Sequence, residues 1–329
     1  MIFGITMGDS SGVGPEILLK AAKAGELRRP FVVYGDLAVL ERANHELGLG
    51  LALRPAGSPA APAGDAIQVI DHALLAAGEV TPGRINARSG AAARAYVVSA
   101  ARAALAGEIA AMVTLPMNKE AAQIGDPRFT GHTELIGEIC GARDVTIMLA
   151  SGQLMVTHVS THCSLREAIE RVRRERVARI IELTWEAVRR LKPEARIAVA
   201  GLNPHAGENG LFGREEIEEI RPAVEQARAR GWAVEGPLPP DTLFYLAVRR
   251  GRYDAVVCMY HDQGHIPSKL LDFEGGVNVA LGLPIIRTSV DHGTAFDIAW
   301  KGVASTASLV NALEFAARMA AGHGGPRGA

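Results

Sequence analysis

The chain has 329 residues, 48% of them apolar and 22% charged, with a formal net charge of −1. That length and composition suit one large or two medium globular domains with a real core. The near-neutral charge excludes a general affinity for nucleic acid or anionic membrane, so any anion site must be local. Three scattered cysteines, Cys140, Cys163 and Cys258, lack CxxC spacing and read as reduced thiols rather than a disulfide frame. The opening MIFGITMGDS has neither a charged nor a long apolar leader pattern, so no export signal is expected. No apolar run approaches the ~20 residues of a membrane span. A cytoplasmic protein is the expectation.

Short apolar or β-branched runs alternate with amphipathic stretches, the pattern of an α/β protein with mainly parallel strands. In chain order, strands are predicted over Ile2–Thr6, Phe31–Tyr34, Ile67–Ile70, Ala111–Thr114, Val145–Leu149, Leu154–Ser160, Arg196–Ala200, Asp254–Met259 and Ile285–Thr288. Pro15 and Glu16 open a helix, with proline at its tolerated first-turn position and an acid near the positive end. The segment Leu51–Gly64 (LALRPAGSPAAPAG) reads as a surface connection. Ser164 and Glu167 form an S-x-x-E capping box, and the periodic run after them predicts one helix to about Leu191. The tail after Ala321 is expected to fray. There is no internal repeat and no dividing linker, so two domains would exchange chain segments. The expected boundaries are 1–128 with 270–329 for the first domain and 129–269 for the second.

Three histidines follow predicted strands: His162, His205 and His261. Ligands of open parallel sheets bind beyond the carboxyl ends of strands, so the three imidazoles either converge on one divalent cation or are unrelated loop residues. His158 lies four before His162, in a β-branched run rather than a zinc-binding helix. His265 lies four after His261, with Gly264 between them, and reads as loop. Both second histidines are taken as structural. Lys269, Asn278 and Arg287 supply two cations and an amide in a glycine-rich, apolar setting, which suits phosphate or carboxylate oxygens. The alternative is exposed surface charge. Gly131-His132-Thr133-Glu134 either adds donors at a helix start or is an N-cap. Asp241 is a helix N-cap, a metal ligand or a proton-transfer group. MGDSSGVGPE places glycines between a strand and a helix, as phosphate loops do, yet matches neither G-x-G-x-x-G nor the Walker pattern.

The segments MGDSSGVGPE, LPMNKEA, GHTE, THCSLREA, GLNPHAGENGLFGREE, GPLPPDT, MYHDQG and GVNVALGLPIIRTSVDHGTA carry a resemblance that runs from about Thr6 to Ser305. They are similar to the 4-hydroxythreonine-4-phosphate dehydrogenase family. The resemblance implies two α/β domains of the isocitrate/isopropylmalate dehydrogenase type, an active-site cleft and a homodimer. It implies His162, His205 and His261 as metal ligands, with one of the three coming from the partner subunit. It implies substrate contacts at His132, Thr133, Lys269, Asn278 and Arg287. The segment from Asp291 to Ala299 resembles the adenosine-binding loop of isopropylmalate dehydrogenases. His292, Gly293, Thr294 and Ala295 would then line NAD, and Asp297 would accept from its ribose hydroxyls or, alternatively, cap a following helix. HDQGHIPSKLL and HGTAFDIAWKG look closer to the branch acting on 4-phosphorylated D-threonate or D-erythronate. Ser10-Ser11 departs from the Pro-Ala that the family commonly carries there.

The implied reaction is NAD-dependent oxidation of a four-carbon acid phosphate at its 3-hydroxyl, followed by decarboxylation. Asp241 or Lys269 would act as base, and a divalent metal, zinc before magnesium, manganese or cobalt, would activate the hydroxyl. Three rivals stand beside it. They are a dihydrodiol dehydrogenase of aromatic degradation, a phosphate acyltransferase of related fold and a non-catalytic sugar-phosphate sensor.

Overall fold

The apolar runs become the buried centres of two units in the computed structural model, which describes residues 1–59 and 65–322. Twelve strands form among those residues. They are β1 (Phe3–Thr6), β2 (Phe31–Gly35), β3 (Leu53–Pro55), β4 (Ile67–Asp71), β5 (Ala111–Thr114), β6 (Thr146–Ala150), β7 (Met155–His158), β8 (Ile197–Ala200), β9 (Val234–Leu238), β10 (Ala255–Cys258), β11 (Val277–Leu281) and β12 (Arg287–Val290). The helices are α1 (Gly14–Lys23), α2 (Leu37–Glu46), α3 (Ala87–Leu105), α4 (Lys119–Gly125), α5 (His132–Cys140), α6 (Leu165–Glu170), α7 (Arg174–Leu191), α8 (Arg221–Ala229), α9 (Pro240–Val248), α10 (His261–Leu271) and α11 (Ala307–Ala321). Among the described residues no helix is long and apolar enough to cross a membrane.

The first unit holds Met1–Val145 and the segment from Leu283, and the second holds Thr146–Gly282. The division falls later than the expected 128/129 and 269/270, so α5 with His132 belongs to the first unit and β11 with Asn278 to the second. In the first unit the strands run β3-β4-β2-β1-β5-β12, every pairing parallel. In the second, β11, β6 and β7 pair antiparallel, and β7, β10, β8 and β9 pair parallel. Every residue of β1, β5, β8, β10 and β12 is buried. Burial on both faces is why β5, β8 and β10 read as near-continuous apolar runs rather than alternating ones.

Helix starts follow local chemistry. Pro15 and Glu16 occupy the first turn of α1, and Asn118 caps α4 by accepting from Ala121 N at 2.8 Å. Ser164 Oγ accepts from Glu167 N at 3.2 Å, one half of the expected capping box, while the Glu167 carboxylate pairs with Arg171. The single helix expected from there to Leu191 is in fact two, interrupted at Arg171–Arg173. The second start is made by a distant acid, Glu219, whose Oε2 accepts from Arg174 N at 2.7 Å. The Leu51–Gly64 connection contains the edge strand β3; its residues 60–64, like the tail from 323, lie outside the described residues.

Helices α3, α4 and α5 position part of the site described below, and Gly90 sets how closely α3 meets α4. A Cβ there would lie 2.5 Å from Ala122 N and 2.6 Å from Ala121 O. Backbone cannot rotate away as a side chain can. Gly90→Ala should therefore destabilise the protein by about 1–3 kcal/mol, as overpacking does, seen as a lower calorimetric unfolding midpoint. An unchanged midpoint would show that α4 moves freely against α3.

Candidate functional site

In the second unit, β7, β10 and β8 are parallel neighbours, so their carboxyl ends share one edge. His162, His205 and His261 all follow those ends. The rings of His162 and His261 lie 5.7 Å apart between centroids. His205 sits beside Phe212, at 6.3 Å, and among the described residues no three His, Cys, Asp or Glu side chains form a group that could hold a metal ion. One chain thus brings two of the three candidate ligands together.

Two of these imidazoles carry a carboxylate on Nδ1. His261 Nδ1 is 2.7 Å from Asp262 Oδ1, and His205 Nδ1 is 3.2 Å from Glu208 Oε2. A carboxylate can only accept here, so Nδ1 holds the proton and Nε2 keeps the lone pair. In the neutral ring that is the arrangement of metal-binding histidines, and such donors suit a divalent cation.

The loop expected around His265 is helical: α10 starts at His261 and runs through Gly264 and Pro267. One helical turn therefore stacks His265 on His261, with centroids 3.6 Å apart and planes 6° apart. His265 Nδ1 is 3.2 Å from Nε2 of His158, so both second histidines join the imidazole cluster. Burial and the neighbouring imidazoles push His158 down to about 3. Gly264 is required beneath this cluster, because a Cβ would collide with His158 Nε2 and Cys258 Sγ. Lys269 occupies α10 two turns beyond His261, and Asn278 lies in β11. Asp241 is not the N-cap of α9, which is Pro239; it lies exposed in the first turn.

The first unit gathers a different set. Arg287, first residue of β12, is 4% exposed, and its Nη2 and Nε donate to Thr114 Oγ1 at 2.7 and 3.2 Å. Among the described residues no carboxylate comes within ion-pair distance of it. Desolvation lowers the guanidinium to about 10, against the favourable charge of Glu134. His132 opens α5, with Thr133 next, and the N-cap is Gly131. Desolvation, with the charges of Arg287 and Lys119, holds the His132 imidazole down at about 3, and its Nε2 is buried with no hydrogen-bond partner. A buried cation without a counter-charge is costly unless an anion completes it. Lys119 and Thr114 escaped the sequence reading, although the former stands in LPMNKEA immediately after its helix cap.

Also in the first unit, the glycine loop after β1 supports the segment resembling a cofactor loop. Val13 N donates to Thr294 O at 3.0 Å, and a Cβ on Gly12 would lie 2.9 Å from that oxygen. Burial raises the Asp9 carboxyl to about 6. Ser11 Oγ meets Ser89 Oγ at 3.2 Å, giving the unusual serine an interior partner. Asp297 is exposed in a turn, and the next helix, α11, starts only at Ala307. Capping of a following helix is thereby excluded. An exposed acceptor without a hydrogen-bond partner among the described residues has the chemistry to receive hydroxyl donors.

The chain is similar to known proteins over nearly its whole length. The family described as "Pyridoxal phosphate biosynthetic protein PdxA" matches residues 26–316. The D-threonate 4-phosphate dehydrogenase of Cupriavidus necator is 48% identical, over 97% of each chain. The 4-hydroxythreonine-4-phosphate dehydrogenase of Desulforapulum autotrophicum is 45% identical, over 97% of this chain and 95% of that one. A crystal structure of 4-hydroxythreonine-4-phosphate dehydrogenase from Klebsiella pneumoniae superposes with a TM-score of 0.89 at 44% identity, covering 97% of this chain and 99% of that chain.

The His132 shift has a consequence for acid stability. Its pKa is about 3 when folded against 6.5 for the ordinary imidazole, so below 6.5 the unfolded chain binds the extra proton. The stability it contributes is intact above the unfolded value and is lost as pH falls toward the folded one. His132→Asn should flatten the decline in unfolding free energy between about pH 7 and pH 4, measured by urea titration in phosphate-free buffer. Parallel wild-type and variant curves would contradict the assignment.

Proposed function

The chain belongs to the PdxA family, and from that membership we propose an NAD- and divalent-metal-dependent dehydrogenase acting on a 4-phosphorylated four-carbon hydroxy acid. The substrate is D-threonate or D-erythronate 4-phosphate, or 4-hydroxythreonine 4-phosphate, oxidised at the 3-hydroxyl and then decarboxylated. The observation that carries this reading is Arg287, a buried guanidinium with a hydroxyl for its partner beside the unpartnered Nε2 of His132. Arg287 and His132, with Thr133, suit a phosphate or carboxylate group. Lys269 and Asn278 are proposed as further substrate contacts.

His162 and His261, joined by His205 of the partner subunit, would hold the cation, zinc before magnesium, manganese or cobalt. When bound, it would supply Lewis-acid polarisation of the substrate oxygens. Asp262 and Glu208 keep the two ligand nitrogens in their donating state. The homodimer is supported by exposed apolar side chains that follow the candidate ligands: Leu211 and Phe212 after His205, and Ile266, Leu270 and Phe273 after His261, with Leu270 85% exposed. Large apolar side chains left in water mark an association surface.

NAD, held along His292–Ala295 with Asp297 toward its ribose, would supply the hydride acceptor. Asp241, or Lys269 acting through water, would take the hydroxyl proton as hydride leaves the same carbon. The 3-keto acid that results is β to its carboxylate, so carbon dioxide departs with its bonding electrons left on the enol carbon. A proton delivered there completes the product. Threonate or erythronate 4-phosphate gives dihydroxyacetone phosphate, and 4-hydroxythreonine 4-phosphate gives 3-amino-2-oxopropyl phosphate.

The deciding experiment follows NADH formation across these three acids, with and without chelator. Turnover should appear with at least one, vanish on chelation and return with a divalent metal. Oxidation of a ring dihydrodiol alone would overturn the substrate, and full activity in metal-free enzyme would overturn the metal.

Arg287→Ala should cost about 2–5 kcal/mol in kcat/KM if a buried charge pair is lost. The loss should fall mainly on the phosphorylated substrate rather than its dephosphorylated analogue. Equal losses on both would place Arg287 at the carboxylate or in the fold.

A further inference from the structure

After β8 the backbone does something rare. His205, Ala206, Gly207, Glu208 and Asn209 have φ of 53°, 53°, 76°, 44° and 56° in succession. A left-handed turn built mostly from residues with a Cβ is sterically disfavoured at each of them. Such backbone persists only where its surroundings over-determine it, and it concentrates at functional sites.

Glu216 supplies that determination. Its side chain is buried at 1% exposure. Oε1 accepts from Leu202 N at 2.8 Å and Asn203 N at 2.7 Å, and Oε2 accepts from Asn203 Nδ2 at 2.9 Å. The turn closes directly onto this carboxylate: a Cβ on Gly207 would lie 2.6 Å from Glu216 Oε2, and one on Gly201 would lie 2.8 Å from Ala206 Cα. Gln263 ties the same loop to the strand end before His261, donating to Gly201 O and accepting from Met259 N, both at 2.7 Å. The turn in its closed form brings Glu208 back to His205, three residues earlier, where its carboxylate accepts from Nδ1.

We propose that Glu216 is a positioning residue whose buried carboxylate folds the left-handed turn that presents His205 Nε2 as a donor to a divalent cation. This rests on the metal reading above and extends it to a residue that touches neither metal nor substrate. The turn makes the ligand in advance. Its tautomer and direction are set before any cation arrives, and the ordering cost is met during folding rather than binding.

The test titrates metal-free full-length protein with Co2+, reading the visible d–d absorption and affinity beside far-UV circular dichroism. The variants are Glu216→Gln, Asn209→Val, His205→Ala and the Glu216→Gln/His205→Ala double. Asn209 is exposed, and a β-branched residue resists its left-handed backbone. It thus opposes the turn without touching the core and decides the matter alone if Glu216→Gln fails to fold. Both single variants should weaken Co2+ binding roughly 10- to 100-fold, the range for residues that orient metal ligands. Glu216→Gln should add nothing once His205 is alanine, because it acts through that side chain. Wild-type affinity in both variants, or an additive loss in the double, overturns the positioning role with the metal reading intact. A wild-type protein that binds no Co2+ takes down both.

Discussion

In a parallel set of strands every carboxyl end reaches the same edge, and the loops that follow inherit that placement. This constraint acts twice here. In the second unit it sets His162, His205 and His261 beyond β7, β8 and β10, where β10 pairs parallel with both of its neighbours. In the first it sets the glycine loop after β1 and Thr114 at the end of β5, to which Arg287 reaches from the opening residue of the neighbouring strand β12. Chain positions more than a hundred residues apart become neighbours because strand direction leaves them nowhere else to go.

Charge is distributed against the neutral average of the chain. Arg287 is buried without a carboxylate at ion-pair distance among the described residues, and the imidazole beside it is kept neutral rather than allowed to share the load. A second cation at His132 would repel Arg287 and Lys119. Its neutrality lets the three groups stand close while adding a nitrogen that can bond to an anion. Only the charge of Glu134 offsets the buried guanidinium from a distance, and an anion beside it would lower that cost further.

Sequence made the strands legible wherever burial on both faces gave a continuous apolar run, as in Ala111–Thr114. It failed at β9 and β11, where VEGPL contains a glycine and a proline and VNVAL is bounded by glycines. It failed again at α10, because Gly264 and Pro267 are breakers by local rule. There packing overrides propensity: the glycine is demanded by His158 and Cys258 beneath it. Strand-end placement of the histidines was readable because it needs only strand boundaries. The burial of Arg287, the remote carboxylate that starts α7 and the left-handed turn at His205 all depend on tertiary contacts, which no local window contains. The NAD loop came from the resemblance alone.

The two histidine–carboxylate pairs are best understood by asking what they are not. His261–Asp262 has side chains 36% and 68% exposed, and His205–Glu208 has 62% and 53%. Exposed pairs of this kind contribute roughly 0–1 kcal/mol to stability, too little to justify four ordered side chains. Nor are they neighbours by one rule: Asp262 is adjacent in sequence at a helix start, whereas Glu208 reaches His205 only through a left-handed turn. Two unrelated backbone solutions arrive at the same chemical state, a proton on Nδ1 and a lone pair on Nε2. Convergence on that state, with little stability to gain, suits these pairs to tautomer control.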